Sequence, residues 1–437
     1  MKDPLRGVKF RVIPMGCRTN LFECEALCCS FVESGAARSE TKDFDVAVLV
    51  GCSVTSEADR KCRQILRRLR REKKDALIIA AGCWAQKATI EEAAGLGVDC
   101  LVGNRLKHRI PAIVREMLLS GRRTEQPRIE MVDVSNFSGW EDLRLLRPQT
   151  RTRAFVKIQD GCDHGCSYCI IPALRGKGVE RDPLDVLQEV ERIALSGCRE
   201  VVFTGINLGV YGRNSGMPLG ELVKRSGDIE GIARIRFGSL EPFAVTETLL
   251  GDLSATAQFC PHFHLPLQSG DPDILRLMRR GYTPEDFLAH VEMARSFFGE
   301  DLHISTDIIV GFPGESEDAF DRTLSLLVSA GTGRLHVFPF SSRDGTVAAS
   351  IPGRLKGPEI RSRVERSIAL GKDLLDSYSG KWIGKRVDLL VEGRTGGMME
   401  GFSSHYVRVE CPGDSEPGMI RSVFVTDSLD GVLRAVV

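Results

Sequence analysis

The stretch "KIQDGCDHGCSYCIIP" sets Cys162, Cys166 and Cys169 at C-x3-C-x2-C spacing directly after a β-rich run. Three thiolates on one tight loop can hold three irons of a 4Fe-4S cluster and leave the fourth iron open. Structural zinc wants four ligands, and no fourth cysteine lies nearby, although His164 can serve as one. An aromatic residue just before the last cysteine, Tyr168, favours iron–sulfur. A second set is spread along the chain. The runs "FRVIPMGC", "DVAVLVGC" and "LIIAAGC" end in Gly16-Cys17, Gly51-Cys52 and Gly82-Cys83. These cysteines are 35 and 31 residues apart, about one strand–helix unit each. In a parallel sheet the carboxyl ends of all strands share one edge, so three such thiols converge. The glycines allow the backbone to turn each thiol toward a common point. One Gly-Cys strand end reads as ordinary core; three in register predict a second three-cysteine cluster. Cys24, Cys28 and Cys62 sit on apolar helix stripes and read as packing. Cys29, Cys100, Cys198, Cys260 and Cys411 show no partner spacing.

The elements that carry these thiols are legible from periodicity. From Val8 to about residue 120, β-rich runs near 8–14, 45–50, 76–81 and 98–103 alternate with amphipathic segments, which predicts a parallel βα domain over 1–120. Residues 121–150 lose the pattern and read as a connector. Over 151–380, six strand-like runs ("AFVKIQD", "EVVFTGIN", "RIRFGS", "HFHLPLQSG", "HISTDIIVGFPG", "RLHVFPFS") are mostly separated by helical stretches. That suits a complete or partial (β/α) barrel, whose chemistry sits at the carboxyl ends of its strands. Residues 381–437 turn all-β, with four or five short strands, as in a small closed barrel. The class is α/β.

At 437 residues the chain needs two or three cores. Its 59 basic and 59 acidic residues balance, so any nucleic-acid contact must come from a local patch. No apolar run approaches a membrane span and "MKDPLRGVKF" lacks a signal-peptide core, so no membrane association and a cytoplasmic location are expected. Disulfides are rare there, which leaves metal ligation or burial for the fourteen cysteines.

With these residues in hand, the sequence resembles the methylthiotransferases of the radical SAM superfamily over nearly its whole length. The motifs are "MGCRTNLFECEAL", "GCSVTSEADRKCRQ", "AAGCWAQ", "GNRLK", "CDHGCSYCIIPALRG", "HLPLQSG", "STDIIVGFPGESEDAF" and "FPFSSRDGT". The resemblance implies a radical SAM barrel over 151–380 and a TRAM domain over 381–437. It assigns an auxiliary 4Fe-4S cluster to Cys17, Cys52 and Cys83, and the radical-SAM 4Fe-4S cluster to Cys162, Cys166 and Cys169. One S-adenosyl-L-methionine (SAM) would methylate a sulfur carried on the auxiliary cluster. A second, on the open iron, would be cleaved to a deoxyadenosyl radical that takes hydrogen from C2 of an adenine. "SLEP", "HLPLQSG", "HVFPFSSRDGT" and "ADRKCRQILRR" look most like the branch acting on N6-threonylcarbamoyladenosine beside a tRNA anticodon. The sister branches act on isopentenyladenosine in tRNA or on an aspartate of a small-subunit ribosomal protein. A non-enzymatic zinc and RNA-binding protein is the reading from another class.

Further contacts follow. Tyr168, Thr204, Gly205, Ser239, Gln268 and Asp307 sit at or near strand ends and are candidates to hold SAM. Residues 59–74, "DRKCRQILRRLRREKK", carry nine basic and two acidic residues. Arg60, Arg63, Arg67, Arg70, Arg71 and Lys74 can line one helix face toward RNA phosphates, which position without reading sequence. The expected partners are tRNA and a flavodoxin- or ferredoxin-like electron donor, with the enzyme itself a monomer.

Overall fold

The computed structural model describes residues 4–121, 126–145, 148 and 152–437. Of the expected connector, residues 122–125, 146–147 and 149–150 lie outside the described residues. The chain forms two compact units: residues 1–150, 155–165 and 169–181 make the first, and 151–154, 166–168 and 182–437 the second.

In the first unit, six parallel strands lie in the order β2-β1-β3-β4-β5-β6. They are β1 (Lys9–Pro14), β2 (Ala37–Arg38), β3 (Val46–Gly51), β4 (Leu77–Gly82), β5 (Cys100–Val102) and β6 (Arg128–Glu130). Every residue of the central β3 and β4 is buried, as expected of a parallel strand covered on both faces. The helices between them start on sequence signals. In the helix Ser56–Glu72 the Thr55 hydroxyl accepts from the Ala58 N–H, and Glu57 and Asp59 occupy the first turn. Its stripe Cys62, Leu66 and Leu69 packs under the sheet with Leu49, Ile78 and Trp84. β6 falls inside the expected connector and pairs with β5, so part of that stretch extends the sheet. Its periodicity is invisible because the strand is three residues long.

The same unit holds a fully buried ion network. Lys157 Nζ lies 3.0 Å from Glu23 and 3.1 Å from Asp160; Arg175 lies 3.0 Å from Glu23 and 2.9 Å from Asp160. Lys107 lies 2.9 Å from Glu141, and Arg105 sits 3.7 Å from Asp160. Four cations therefore face three carboxylates away from water.

In the second unit, parallel strands β10 (Glu200–Thr204) and β11 (Arg234–Phe237) form a sheet with β7 (Arg153–Lys157), whose first residues belong here. A second parallel sheet runs β12 (His262–His264), β13 (His303–Val310), β14 (Arg334–Pro339). The isolated pairing Ile235↔Phe259 links the β11 side to the approach of β12. This is the expected partial (β/α) barrel. The short strands β8 (Gln159–Asp160) and β9 (Val179–Glu180) pair antiparallel in the first unit. The helix Glu247–Ser254, capped by Thr246, lies between the runs "RIRFGS" and "HFHLPLQSG". After the helix Gly357–Gly380, the strands β15 (Arg386–Thr395), β16 (Met398–Ser403), β17 (Arg408–Pro412), β18 (Ile420–Leu429) and β19 (Val432–Val436) close a barrel in the order β15-β16-β17-β19-β18. Val387, Leu389, Val409, Val423, Val425 and Leu433 fill it. Gly401 is required, since a Cβ there would stand 1.8 Å from the Leu390 carbonyl. Arginines join the two barrels: Arg236 Nη2 donates to the Ser403 carbonyl at 2.7 Å and its Nε to Glu200 at 2.9 Å. Among the described residues no helix is long and apolar enough to cross a membrane.

Candidate cofactor sites

Cys17, Cys52 and Cys83 follow β1, β3 and β4, three neighbouring strands of the first unit. Gly51 and Gly82 are register partners, and the Met15 N–H donates to the Val50 carbonyl at 3.1 Å, so the three strand ends lie side by side. The glycines have distinct roles. Gly16 and Gly82 hold φ of +106° and +83°, a region costly for side chains. A Cβ on Gly16 would also meet Cys52 Sγ at 2.9 Å. Gly51 has ordinary φ, and is needed because a Cβ would stand 2.8 Å from Trp84 Cβ. Burial pushes the Cys52 thiol up to about 12, and charge on Cys83 and Cys17 pushes it the same way. Such thiols become ligands when a metal cation takes the place of the proton.

Whether the edge suits a cluster turns on its donors. Asn104 Nδ2 points at Cys83 Sγ from 3.5 Å and donates to the Leu174 carbonyl at 2.8 Å. Arg175 donates to Asn20 at 2.8 Å, and its guanidinium feels the charge of Cys83 and Cys17. An edge with an N–H donor and a buried cation beside its thiols fits an anionic iron–sulfur group. Cys62, read as packing, is fully buried in the sheet core, and Cys24 and Cys28 are buried as well.

The second motif begins where β8 ends. Gly161 holds φ +71°, and a Cβ there would lie 2.0 Å from the Lys177 carbonyl. The Cys162 N–H donates to the Gly176 carbonyl at 3.0 Å, and the His164 N–H reaches Cys162 Sγ at 3.3 Å. His164 thus supports a thiol through its backbone. In the second unit, buried Arg280 donates from Nη1 to Cys166 Sγ at 3.1 Å and pairs through Nη2 with Glu241 of "SLEP". Both loops therefore supply N–H donors to sulfur, one of the levers on an iron–sulfur potential. Arg280 was missed by sequence reasoning; the Arg-Arg pair ahead of Gly281 carries no motif by itself.

The expected SAM contacts lie in the second unit. Tyr168 packs edge-on against Phe312. Thr204 closes β10, buried, and Gly238 passes so near that a Cβ would meet its hydroxyl at 3.1 Å. That approach accounts for glycine beside Ser239. Gln268 holds φ +68° and exchanges backbone hydrogen bonds with Asp307 and Ile309; a non-glycine residue in this region is a mark of strain at functional sites. The Asp307 side chain is engaged by His264 and His336 at 3.0 Å each.

The basic helix divides. Arg60 pairs with Glu57, and Arg63 with Glu92. Arg70 donates to the Gly97 and Ala76 carbonyls and to Asp99, a structural clamp. Arg67 and Arg71 line a cleft of about 410 Å³ with Lys61, Gln64, Arg68, Ile65 and Met15. Lys74 is exposed beyond it. Lys61, Gln64 and Arg68 were outside the expected set, though they follow from the same helix one residue around.

Residues 156–327 match the radical SAM superfamily, and residues 9–103 match a family described as uncharacterized protein family UPF0004. The threonylcarbamoyladenosine tRNA methylthiotransferase MtaB of Bacillus subtilis is 33% identical over 92% of this chain and 90% of its own length. The protein of that name from Thermotoga maritima is 32% identical over 97% and 96%. The chain belongs to the radical SAM methylthiotransferases. A tRNA-2-methylthio-N(6)-dimethylallyladenosine synthase of Mycobacterium ulcerans is 32% identical over 98% of this chain and 83% of its own length. Among solved structures, the radical S-adenosylmethionine methyltransferase TsrM of Kitasatospora setae superposes with a TM-score of 0.56 over 79% of this chain and 77% of that one, at 14% identity, a likeness of fold. This methylthiotransferase is thus an enzyme of the radical SAM superfamily, which works with SAM and 4Fe-4S clusters.

Proposed function

We propose that this methylthiotransferase inserts a methylthio group at C2 of N6-threonylcarbamoyladenosine next to the anticodon of tRNA. The observation that carries the reading is the alignment of three Gly-Cys strand ends on one sheet edge, in a chain that also holds the C-x3-C-x2-C loop. Cys17, Cys52 and Cys83 would hold the auxiliary cluster, and Cys162, Cys166 and Cys169 the radical-SAM cluster. When bound, SAM and the two clusters supply the methyl group, the sulfur carrier and the radical that an unactivated C–H bond demands. The residues of the chain do the rest. Asn104 and Arg280 orient thiolates and offset their charge, while buried Thr204 and the strained Gln268 backbone shape the strand ends where SAM would lie. Arg67, Arg71, Lys61 and Arg68 offer cations to phosphates beside an apolar floor of Ile65 and Met15. The small carboxy-terminal barrel, as a TRAM domain, would add RNA contact. It holds seven Lys/Arg and eight Asp/Glu, so that contact would be local. We also propose the functional division 1–120, 151–380 and 381–437, acting as a monomer with a flavodoxin- or ferredoxin-like donor.

The threonylcarbamoyl branch is favoured by "SLEP", whose Glu241 pairs with Arg280. A second reading, dimethylallyladenosine, is carried by relatives of that name at similar identity. Mass spectrometry of tRNA nucleosides from a deletion strain separates them: loss of methylthio-threonylcarbamoyladenosine is expected, and loss of the dimethylallyl species alone overturns the substrate. Cys52→Ala should abolish methylthiolation while leaving SAM cleavage.

A further inference from the structure

His264, Asp307 and His336 come from β12, β13 and β14, adjacent parallel strands of the second unit. Asp307 and His336 are register partners, and His264 pairs with Ser305, two residues before Asp307, so all three side chains leave the sheet on one face. His264 Nε2 lies 3.0 Å from Asp307 Oδ2, and His336 Nδ1 lies 3.0 Å from Asp307 Oδ1. The two imidazoles stack at 5.3 Å between centroids. One ligand atom from each residue falls within 4.8 Å of the others, the one such set among the described residues.

A second feature suits a cation. The other ring nitrogen of His264, Nδ1, lies 3.1 Å from Ser305 Oγ, which lies 2.8 Å from His262 Nε2. Outer partners of this kind orient a ligating imidazole. The chain is self-consistent in two polarities. Without an ion, His264 donates from Nε2 to Asp307 and Nδ1 accepts from Ser305. With an ion on Nε2, the proton moves to Nδ1, Ser305 accepts it, and the serine hydroxyl turns to His262. His264 is buried, whereas His336 is 40% exposed and offers a way in.

We propose that His264, Asp307 and His336 form a binding site for one divalent first-row transition cation, built from none of the six cluster cysteines. Two imidazoles and one carboxylate leave further coordination positions open, as in non-haem iron(II) or zinc sites. The proposal does not rest on the tRNA reading.

The test uses the holoenzyme with its clusters reconstituted anaerobically, equilibrated with Zn2+ and desalted. Zinc content by mass spectrometry should show about one more zinc per chain in wild type than in Asp307→Asn. Zinc should raise the melting midpoint of wild type and not of His336→Asn, a change at the exposed member. Zinc K-edge X-ray absorption of the wild type should show only nitrogen and oxygen scatterers at about 2.0–2.2 Å, against about 2.3 Å for cysteine sulfur. Absence of uptake, a sulfur shell, or equal uptake by wild type and Asp307→Asn overturns the proposal, and the wild-type spectrum needs no variant to fold.

Discussion

Removing a negative charge from the buried network should cost more than removing a positive one. Glu23 touches Lys157 at 3.0 Å, Arg175 at 3.0 Å and Lys107 at 3.4 Å, all fully buried. In Glu23→Gln, four cations would share Asp160 and Glu141. Breaking a buried pair from one side costs about 3–5 kcal/mol, because a charge is left uncompensated. In Lys157→Met three cations face three carboxylates, and each carboxylate keeps a partner: Asp160 keeps Arg175, Glu23 keeps Arg175 and Lys107, and Glu141 keeps Lys107. The methionine also rests where Nζ lies 5.3 Å from the Trp140 ring, so apolar contact replaces part of what is lost. Lost bonds between charged groups are worth about 1.5–3 kcal/mol, and relief of lysine desolvation brings the net to about 1 kcal/mol. Hydrogen exchange over 18–33 and 155–160 reads these values locally, which suits a chain of two units better than a global melt. At about 1.4 kcal/mol per decade, Glu23→Gln should speed exchange by about 100-fold or more and Lys157→Met by about 5-fold. Equal or reversed effects would refute the charge count.

The same network sets an acid limit. Burial would raise the Glu141 carboxyl, but Lys107, His108 and Lys157 bring it down to about 2 from an ordinary 4.5. Its contribution is complete above the ordinary value and lost as pH falls toward 2, so acid unfolding of 1–150 should flatten between these limits in Glu141→Gln; an unchanged profile counts against it. Gly51→Ala should cost about 1–3 kcal/mol by forcing a Cβ to 2.8 Å from Trp84, and should lower iron content after reconstitution, read by iron assay. Arg280→Met removes the N–H on Cys166 Sγ and should lower the reduction potential of that cluster in an EPR-monitored titration. Arg67→Glu with Arg71→Glu should weaken tRNA binding and lower the slope of log affinity against log salt by roughly 0.7–0.9 per lost phosphate contact. Arg60→Glu, already paired to Glu57, should do less.

The sequence by itself determined the alternation of strands and helices and the small closing barrel, and it pointed to two sets of three cysteines, because these rest on local periodicity, glycine placement and spacing. Gly-Cys after three buried apolar runs is a local pattern whose convergence follows from parallel pairing alone. What only the tertiary structure decided were partners between distant residues. Arg280 meets Cys166 from 114 positions away, and Glu23 meets Lys157 from 134, and no spacing rule reaches that far. Which arginines of the basic helix stay available was equally hidden. Arg70 and Arg67 look alike in sequence, yet Arg70 closes on Gly97 and Asp99 while Arg67 faces the cleft. His264 and His336 open the motifs "HLPLQSG" and "HVFPFSSRDGT", yet nothing in either motif pairs one histidine with the other. They become a site with Asp307 because parallel register brings them to one face, and register is a property of the sheet rather than of any strand in it.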